Sequence, residues 1–170
     1  GTLQSRLGEP SGISTQSWMV HRIFAEASVC CSQSTVKRGN TAFQLNVSTL
    51  GHASHSGMLG GAAPDAMLAL VRVLASLHDD DGAVAVEGLT SHTQEVPPFT
   101  EVRLREDAAL LEGVSSIGRG EILHRLWAQP AITVTGIDAP SVQNASNTLL
   151  PSVTVKISCR VAPGQSAREA

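Results

Sequence analysis

From Thr41 to Leu50 the chain runs TAFQLNVSTL, in which Phe43, Leu45 and Val47 alternate with Gln44, Asn46 and Ser48. An apolar residue at every second position sends one side of a strand into a core and leaves the other wet, so this segment predicts a half-buried β-strand. The same period is cleanest near the end, where Val153, Val155, Ile157, Cys159 and Val161 alternate with Thr154, Lys156, Ser158, Arg160 and Ala162. After Pro130, ITVTGI at 132–137 predicts a further strand. Between these segments the period changes. In 64–78 (PDAMLALVRVLASLH), Met67, Leu68, Val71, Leu74 and Leu77 fall at helical spacing, and Leu70 and Val73 widen the stripe. Pro64 suits a first turn, Asp65 the positive end of the helix and His78 the negative end, and DDDG at 79–82 stops it.

Other segments are patterned more weakly. Val84–Val86 suggests a short strand, and 90–120, with Pro97-Pro98, several glycines and TEVRLREDAALLEG, reads as an insertion carrying one surface helix. Glu121–Trp127 suggests a further helical turn or two. Residues 1–36 are rich in Ser, Thr, Gln and Gly, and only 18–30 (WMVHRIFAEASVC) has the apolar content for one helix or strand. Ser166-Ala167-Arg168-Glu169 fits the capping box that opens a helix, one residue before the chain stops. Together with a Gly1-Thr2 beginning, that reads as a piece of a longer chain.

A length of 170 residues suits one domain. A net charge of -3, with two Trp, three Phe and no Tyr, provides neither a basic field nor stacking platforms, which argues against nucleic acid as a partner. No apolar run approaches the ~20 residues of a bilayer span, and no signal peptide is visible, which argues against a membrane partner. The cysteines are Cys30, Cys31 and Cys159. Two adjacent cysteines and an odd total argue against a disulfide framework, so a cytoplasmic location is expected. Cys159, inside a strand pattern, is expected to be a small buried hydrophobe.

The candidate chemistry centres on HASHSGMLGG at 52–61. A metal site on His52 and His55 would hold two ligands at most, where zinc takes three or four, and at i, i+3 in an extended segment the two rings point apart. His78-Asp79-Asp80 matches a His-x-Asp ligand pair but lies in the helix stop. His55 has another reading: Gly57, Gly60 and Gly61 let the backbone approach a ligand, and the imidazole could hydrogen-bond a developing oxyanion. From local sequence alone, a turn histidine satisfied by neighbouring backbone is favoured, and Asn144–Thr148 is favoured as a simple polar turn. Arg160, on the polar side of its strand, is either a solubilising charge or a fork for a substrate carboxylate. No Gly-x-Ser-x-Gly elbow and no phosphate-cradling glycine loop is present.

Taken together, SHSGMLGGAAPDAMLALVRVLASLHDDDG, HRLWAQPAITVTGIDAP and SNTLLPSVTVKISCRVAPGQS resemble the lid, or dimerisation, domain of the M20 metallopeptidases. That family holds dipeptidases, carnosinase-like enzymes and related deacylases. The resemblance covers residues 37–170, with an insertion at about 90–128, whereas 1–36 match poorly and read as a remnant of the catalytic domain. It implies an α+β, ferredoxin-like fold with an antiparallel sheet and helices on one face. It also implies incompleteness at the C-terminus, since the family has one more helix and strand after Gln165.

The resemblance further implies a homodimer through the lid. His55 would enter the partner's active site to polarise the scissile carbonyl and stabilise the oxyanion, which reverses the local reading of that residue. Asn147 and Thr148 would contact substrate across the dimer, and Arg160 would hold the substrate's terminal carboxylate. Two zinc ions are expected in the parent's catalytic domain and no metal in this chain, which has no Glu-Glu pair and no correctly placed His-x-Asp. The first reading is therefore the lid of a zinc-dependent dipeptidase or amidohydrolase, inactive alone, with the catalytic domain and a dipeptide-like substrate as partners. A free-standing dimerisation or peptide-binding module is the alternative, and a small metal-binding protein using His52 and His55 the third.

Overall fold

The alternating segments pair with one another. β1 (Arg22–Ser28), β2 (Gly39–Ser48), β4 (Ala131–Asp138) and β6 (Ser152–Val161) form an antiparallel sheet in the order β1-β2-β6-β4. β3 (Ser54–His55) and β5 (Thr148–Leu149) make a separate two-stranded ladder. This computed structural model describes residues 22–28 and 38–168. The expected strand or helix within 18–30 is thus the strand β1, while Cys30, Cys31 and Glu169 of the capping box lie outside the described residues.

Register decides which side is the core. Phe43 faces Ile157, Leu45 faces Val155 and Val47 faces Val153 across β2 and β6, so the apolar side chains of both strands share one face. The helix α2 (Ala66–Ala75) lies on that face, where Val47, Ala66, Leu70 and Val155 are fully buried. Burying a leucine to this extent stabilises the fold by about 1.5–3 kcal/mol. Further along the face, Cys159, Val161 and Ala167 pack with Leu89 and Ile132, so Cys159 is the buried hydrophobe its strand pattern predicts. The opposite face is polar: Asn46 Nδ2 donates to Thr154 Oγ1 at 2.9 Å, and Ser158 Oγ donates to Asn40 Oδ1 at 3.1 Å.

Asp65 caps α2 and does more than complement its dipole. One carboxylate oxygen accepts from Leu68 N at 3.0 Å, as an N-cap should. The other accepts from Leu150 N at 2.7 Å, and Ala66 N donates to Leu150 O at 3.1 Å. The start of the helix is therefore bolted to the chain just after β5.

Two sequence expectations need correction. The buried side of α2 is Ala66 and Leu70, flanked by Met67, Val73, Leu74 and Leu77, whereas Leu68 and Val71 are 53% and 51% exposed. The helix AMLALVRVLA is apolar almost all round, so spacing alone could not choose its inner side. Val84–Val86 is not a strand but a single bridge between His78 and Val84. Asp79 turns the chain there by accepting from Asp81 N and Ala83 N, and Arg119 pairs with both Asp79 (3.0 Å) and Asp81 (2.6 Å). The expected surface helix of 90–120 is α3 (Glu101–Asp107), followed by α4 (Ile122–Ala128), whose Ile122, Leu123 and Ala128 are buried. β4, at the sheet edge, leaves Val134 and Ile137 38% and 47% exposed, because α2 packs on β2 and β6.

Candidate functional site

The short ladder gathers three of the four candidate residues. His55 of β3 sits directly opposite Thr148 of β5, and Ser56 N donates to Asn147 O at 2.9 Å. Thr148 is braced by Ser146, whose hydroxyl lies 2.8 Å from its own and whose carbonyl accepts from Thr148 N at 2.7 Å. Asn144–Thr148 is thus both a turn, with a 3-10 segment at Val142–Asn144, and the partner strand of the histidine loop.

His55 also caps the single-turn helix α1 (Ser56–Leu59), its Nδ1 accepting from Gly57 N at 3.0 Å. A ring nitrogen that accepts from an amide carries no proton of its own, so in the neutral ring the proton sits on Nε2. The exposed side chain therefore offers one outward N–H, and Nε2 has no partner among the described residues. The turn histidine bonded to neighbouring backbone, favoured from local sequence, is what Nδ1 shows. Glycine beside it leaves room for this ring position: a Cβ on Gly57 would lie 2.9 Å from His55 Cε1 and 3.1 Å from Nδ1. A Cβ on Gly60 would collide with the Ser56 carbonyl oxygen.

Arg160 is elsewhere. It is exposed on the polar face of β6, opposite Asn40 of β2 and Ala131 of β4. Eight residues of strand separate it from Ser152, next to the ladder, which at about 3.3 Å per residue is roughly 26 Å. Near it, Arg38 Nη1 donates to Leu126 O and Nη2 to Gln129 O, the latter at 2.6 Å. Burial holds the Arg38 guanidinium below its ordinary pKa, and the charge of Arg160 adds to that. Among the described residues, ion pairs join Arg103 to Asp107 and Arg119 to Asp79 and Asp81, and no carboxylate pairs with Arg38 or Arg160.

No group of three or more His, Cys, Asp or Glu among the described residues could hold a metal ion. His52 is exposed, and Asp79 and Asp81 are engaged with Arg119 and the helix stop. The described residues do not fit a two-metal centre. Sequence reasoning missed the Gly57 amide as the group that sets the His55 tautomer, the second oxygen of Asp65, and Arg38. The Asp65 and Arg38 contacts leave no local mark: Asp65 reaches Leu150 85 residues on, and Arg38 reaches carbonyls 88 and 91 residues away.

Comparison with known proteins agrees with this layout. Residues 37–170 match the peptidase dimerisation domain. The cysteinylglycine-S-conjugate dipeptidase of Corynebacterium striatum is 38% identical over 135 residues, which cover 78% of this chain and 30% of that protein. The human Beta-Ala-His dipeptidase is 31% identical over 139 residues, covering 74% of this chain and 27% of its own length. Human carnosine dipeptidase 1 superimposes with a TM-score of 0.54 at 28% identity, over 78% of this chain and 30% of that one. An M20 family metallo-carboxypeptidase from Sulfolobus solfataricus gives a TM-score of 0.60 at 16% identity, over 78% and 37% respectively, a likeness of fold alone. The chain thus spans about 30% of the length of the curated relatives it matches. An antiparallel sheet backed by a helix and a histidine loop laddered to β5, together with the match over 37–170, identify this chain as a member of the M20 peptidase dimerisation-domain family.

Proposed function

We propose that this chain serves as the lid and dimerisation domain of an M20 dipeptidase or amidohydrolase, lending side chains to active sites whose zinc ions and base belong to the catalytic domain. On this reading the chain alone is inactive. The observation that carries it is the state of His55. With Nδ1 occupied by Gly57 N–H, the free Nε2–H is a neutral donor. Such a donor stabilises negative charge as it develops on a scissile carbonyl oxygen and takes no proton from it. Asn147 and Thr148, beside His55 on the ladder, offer an amide and a hydroxyl to the substrate. Arg160, without a carboxylate partner among the described residues, offers a planar fork to the terminal carboxylate.

The length of β6 supports dividing these groups between two different sites. An extended dipeptide spans about 7 Å, against the roughly 26 Å between the ladder and Arg160. One substrate cannot touch His55 and Arg160 of the same chain. In a two-fold homodimer each active site takes Arg160 from one subunit and His55, Asn147 and Thr148 from the other. Exposed apolar residues on the outer side of α2 (Leu68, Val71) and on the edge strand β4 (Val134, Ile137) provide a self-complementary surface for that association. The open edge of β4 also favours a second reading, a free-standing dimerisation or peptide-binding module that adds a strand there. Metal-ligand motifs in the neighbouring coding sequence would decide for the first.

The test is complementation in the full-length enzyme that carries this domain. His55→Ala and Arg160→Met homodimers should each lose activity, His55→Ala by roughly 100-fold or more in kcat, the usual order for one lost oxyanion donor. Subunit exchange between them should restore up to about a quarter of the wild-type sites, since half the dimers are mixed and each has one intact site. No recovery on mixing would refute the sharing of residues across the dimer.

A further inference from the structure

Arg38 stands one residue before β2 and two before Asn40, the β2 neighbour of Arg160. Its terminal nitrogens donate to Leu126 O in the last turn of α4 and to Gln129 O, two residues before Ala131, the β4 neighbour of Arg160. The side chain therefore ties together the two strands that flank Arg160, at the level from which Arg160 emerges. Each terminal nitrogen gives an N–H to main chain, which fixes the guanidinium in place. Its charge is not spent: no carboxylate pairs with either arginine among the described residues. Two like charges without a counter-ion repel, and the one free to move is Arg160, which is exposed.

We propose that Arg38 is a positioning residue for Arg160: it pins the strands on either side and, as a fixed positive neighbour, keeps the Arg160 fork extended toward an incoming carboxylate. A bound carboxylate relieves the repulsion between the two cations, so its capture is favoured over that of a neutral group in the same place. Asn40 and Ser158, hydrogen-bonded to each other on the same face, complete the polar floor beside the fork. The inference rests on the reading that Arg160 receives the substrate's terminal carboxylate, and it adds a residue to which that reading gives no role.

The test uses the full-length enzyme with a dipeptide and the same dipeptide as its C-terminal amide. Arg38→Met should raise KM for the free carboxylate about tenfold, with kcat within about twofold and the amide's KM unchanged. Arg38→Lys, which keeps the charge and loses the fork, should recover part of that rise. Equal losses on both substrates, or none on either, would overturn the proposal and leave Arg38 a structural clamp. If Arg38→Met does not fold, Arg38→Lys bears the same comparison: a KM rise confined to the carboxylate supports the proposal, and any other pattern overturns it. Arg160→Met is the control for the underlying reading. If it fails to separate the two substrates, the carboxylate role of Arg160 itself falls; if it separates them and the Arg38 variants do not, only the present inference falls.

Discussion

A methyl group at position 57 should damage the site without damaging the fold. The Cβ of Gly57→Ala would stand 2.9 Å from His55 Cε1 and 3.1 Å from Nδ1. Carbon atoms rest at about 3.5–4.0 Å, so the ring must retreat by roughly 0.6 Å or more. The backbone amide survives the substitution, which isolates ring position from loss of the donor. Retreat stretches the Gly57 N–H bond to Nδ1 from its 3.0 Å and swings Nε2–H off its line. A 1 Å misplacement of a reacting group costs about 100-fold, so a fall in kcat of roughly 10- to 50-fold is expected. Stability should move the other way or not at all, because position 57 is in α1 and Ala is favoured over Gly in a helix by about 1 kcal/mol. Steady-state kinetics on the full-length enzyme, thermal melts, and the ¹⁵N shifts of the His55 ring in this chain make up the assay. The wild-type ring should show protonated Nε2 and unprotonated Nδ1, and the variant a mixture. Unchanged kcat with an unchanged tautomer would refute the claim that Gly57 aims His55.

The remaining predictions concern what holds the site in place. Asp65→Ala removes an N-cap worth about 1 kcal/mol and strands the half-buried Leu150 N–H at about 1–3 kcal/mol, so chemical denaturation should give a loss of about 2–4 kcal/mol. A loss under about 1 kcal/mol would mean that the helix start and β5 are not coupled through that carboxylate. Leu68→Asp with Val71→Asp should halve the mass seen by sedimentation and leave the far-ultraviolet spectrum of the subunit intact; an unchanged mass would move the interface away from the outer side of α2. Burial raises the Cys159 thiol above its ordinary pKa, so at alkaline pH the unfolded chain ionises first. Folding stability should be full below the ordinary thiol range and decline as pH rises through it toward the raised value. Cys159→Val should flatten that limb, and an identical pH profile in the variant would assign the decline to other groups.

Most of the frame was legible because period-two alternation in 41–48 and 153–161 can be satisfied only by strands with one wet face, and those segments are β2 and β6. What alternation could not state was pairing, and pairing is what makes the site. His55 and Thr148 are neighbours only because β3 finds β5, and nothing local in HASHSGMLGG or NASNT requires it. For the same reason the side of α2 that faces the sheet was illegible: AMLALVRVLA has apolar residues on every side, and the sheet selects Ala66 and Leu70. The residues it rejects, Leu68 and Val71, are left exposed, and on the proposed reading a two-fold assembly would cover them.

The separation of His55 from Arg160 follows from the strand that carries one of them. Placed by sequence alone, both belong to one list of substrate contacts. The β6 strand from Ser152, beside the ladder, to Arg160 runs roughly 26 Å, longer than one dipeptide, which is why the proposed function divides them between two sites. The ladder end is held by hydrogen bonds from Gly57 N to His55 Nδ1, Ser56 N to Asn147 O, and Leu150 N to Asp65. The far end carries an exposed arginine with a like charge beside it. On the proposed reading, one end of the domain would face its own catalytic domain and the other its neighbour's, with the length of a single strand deciding which does which.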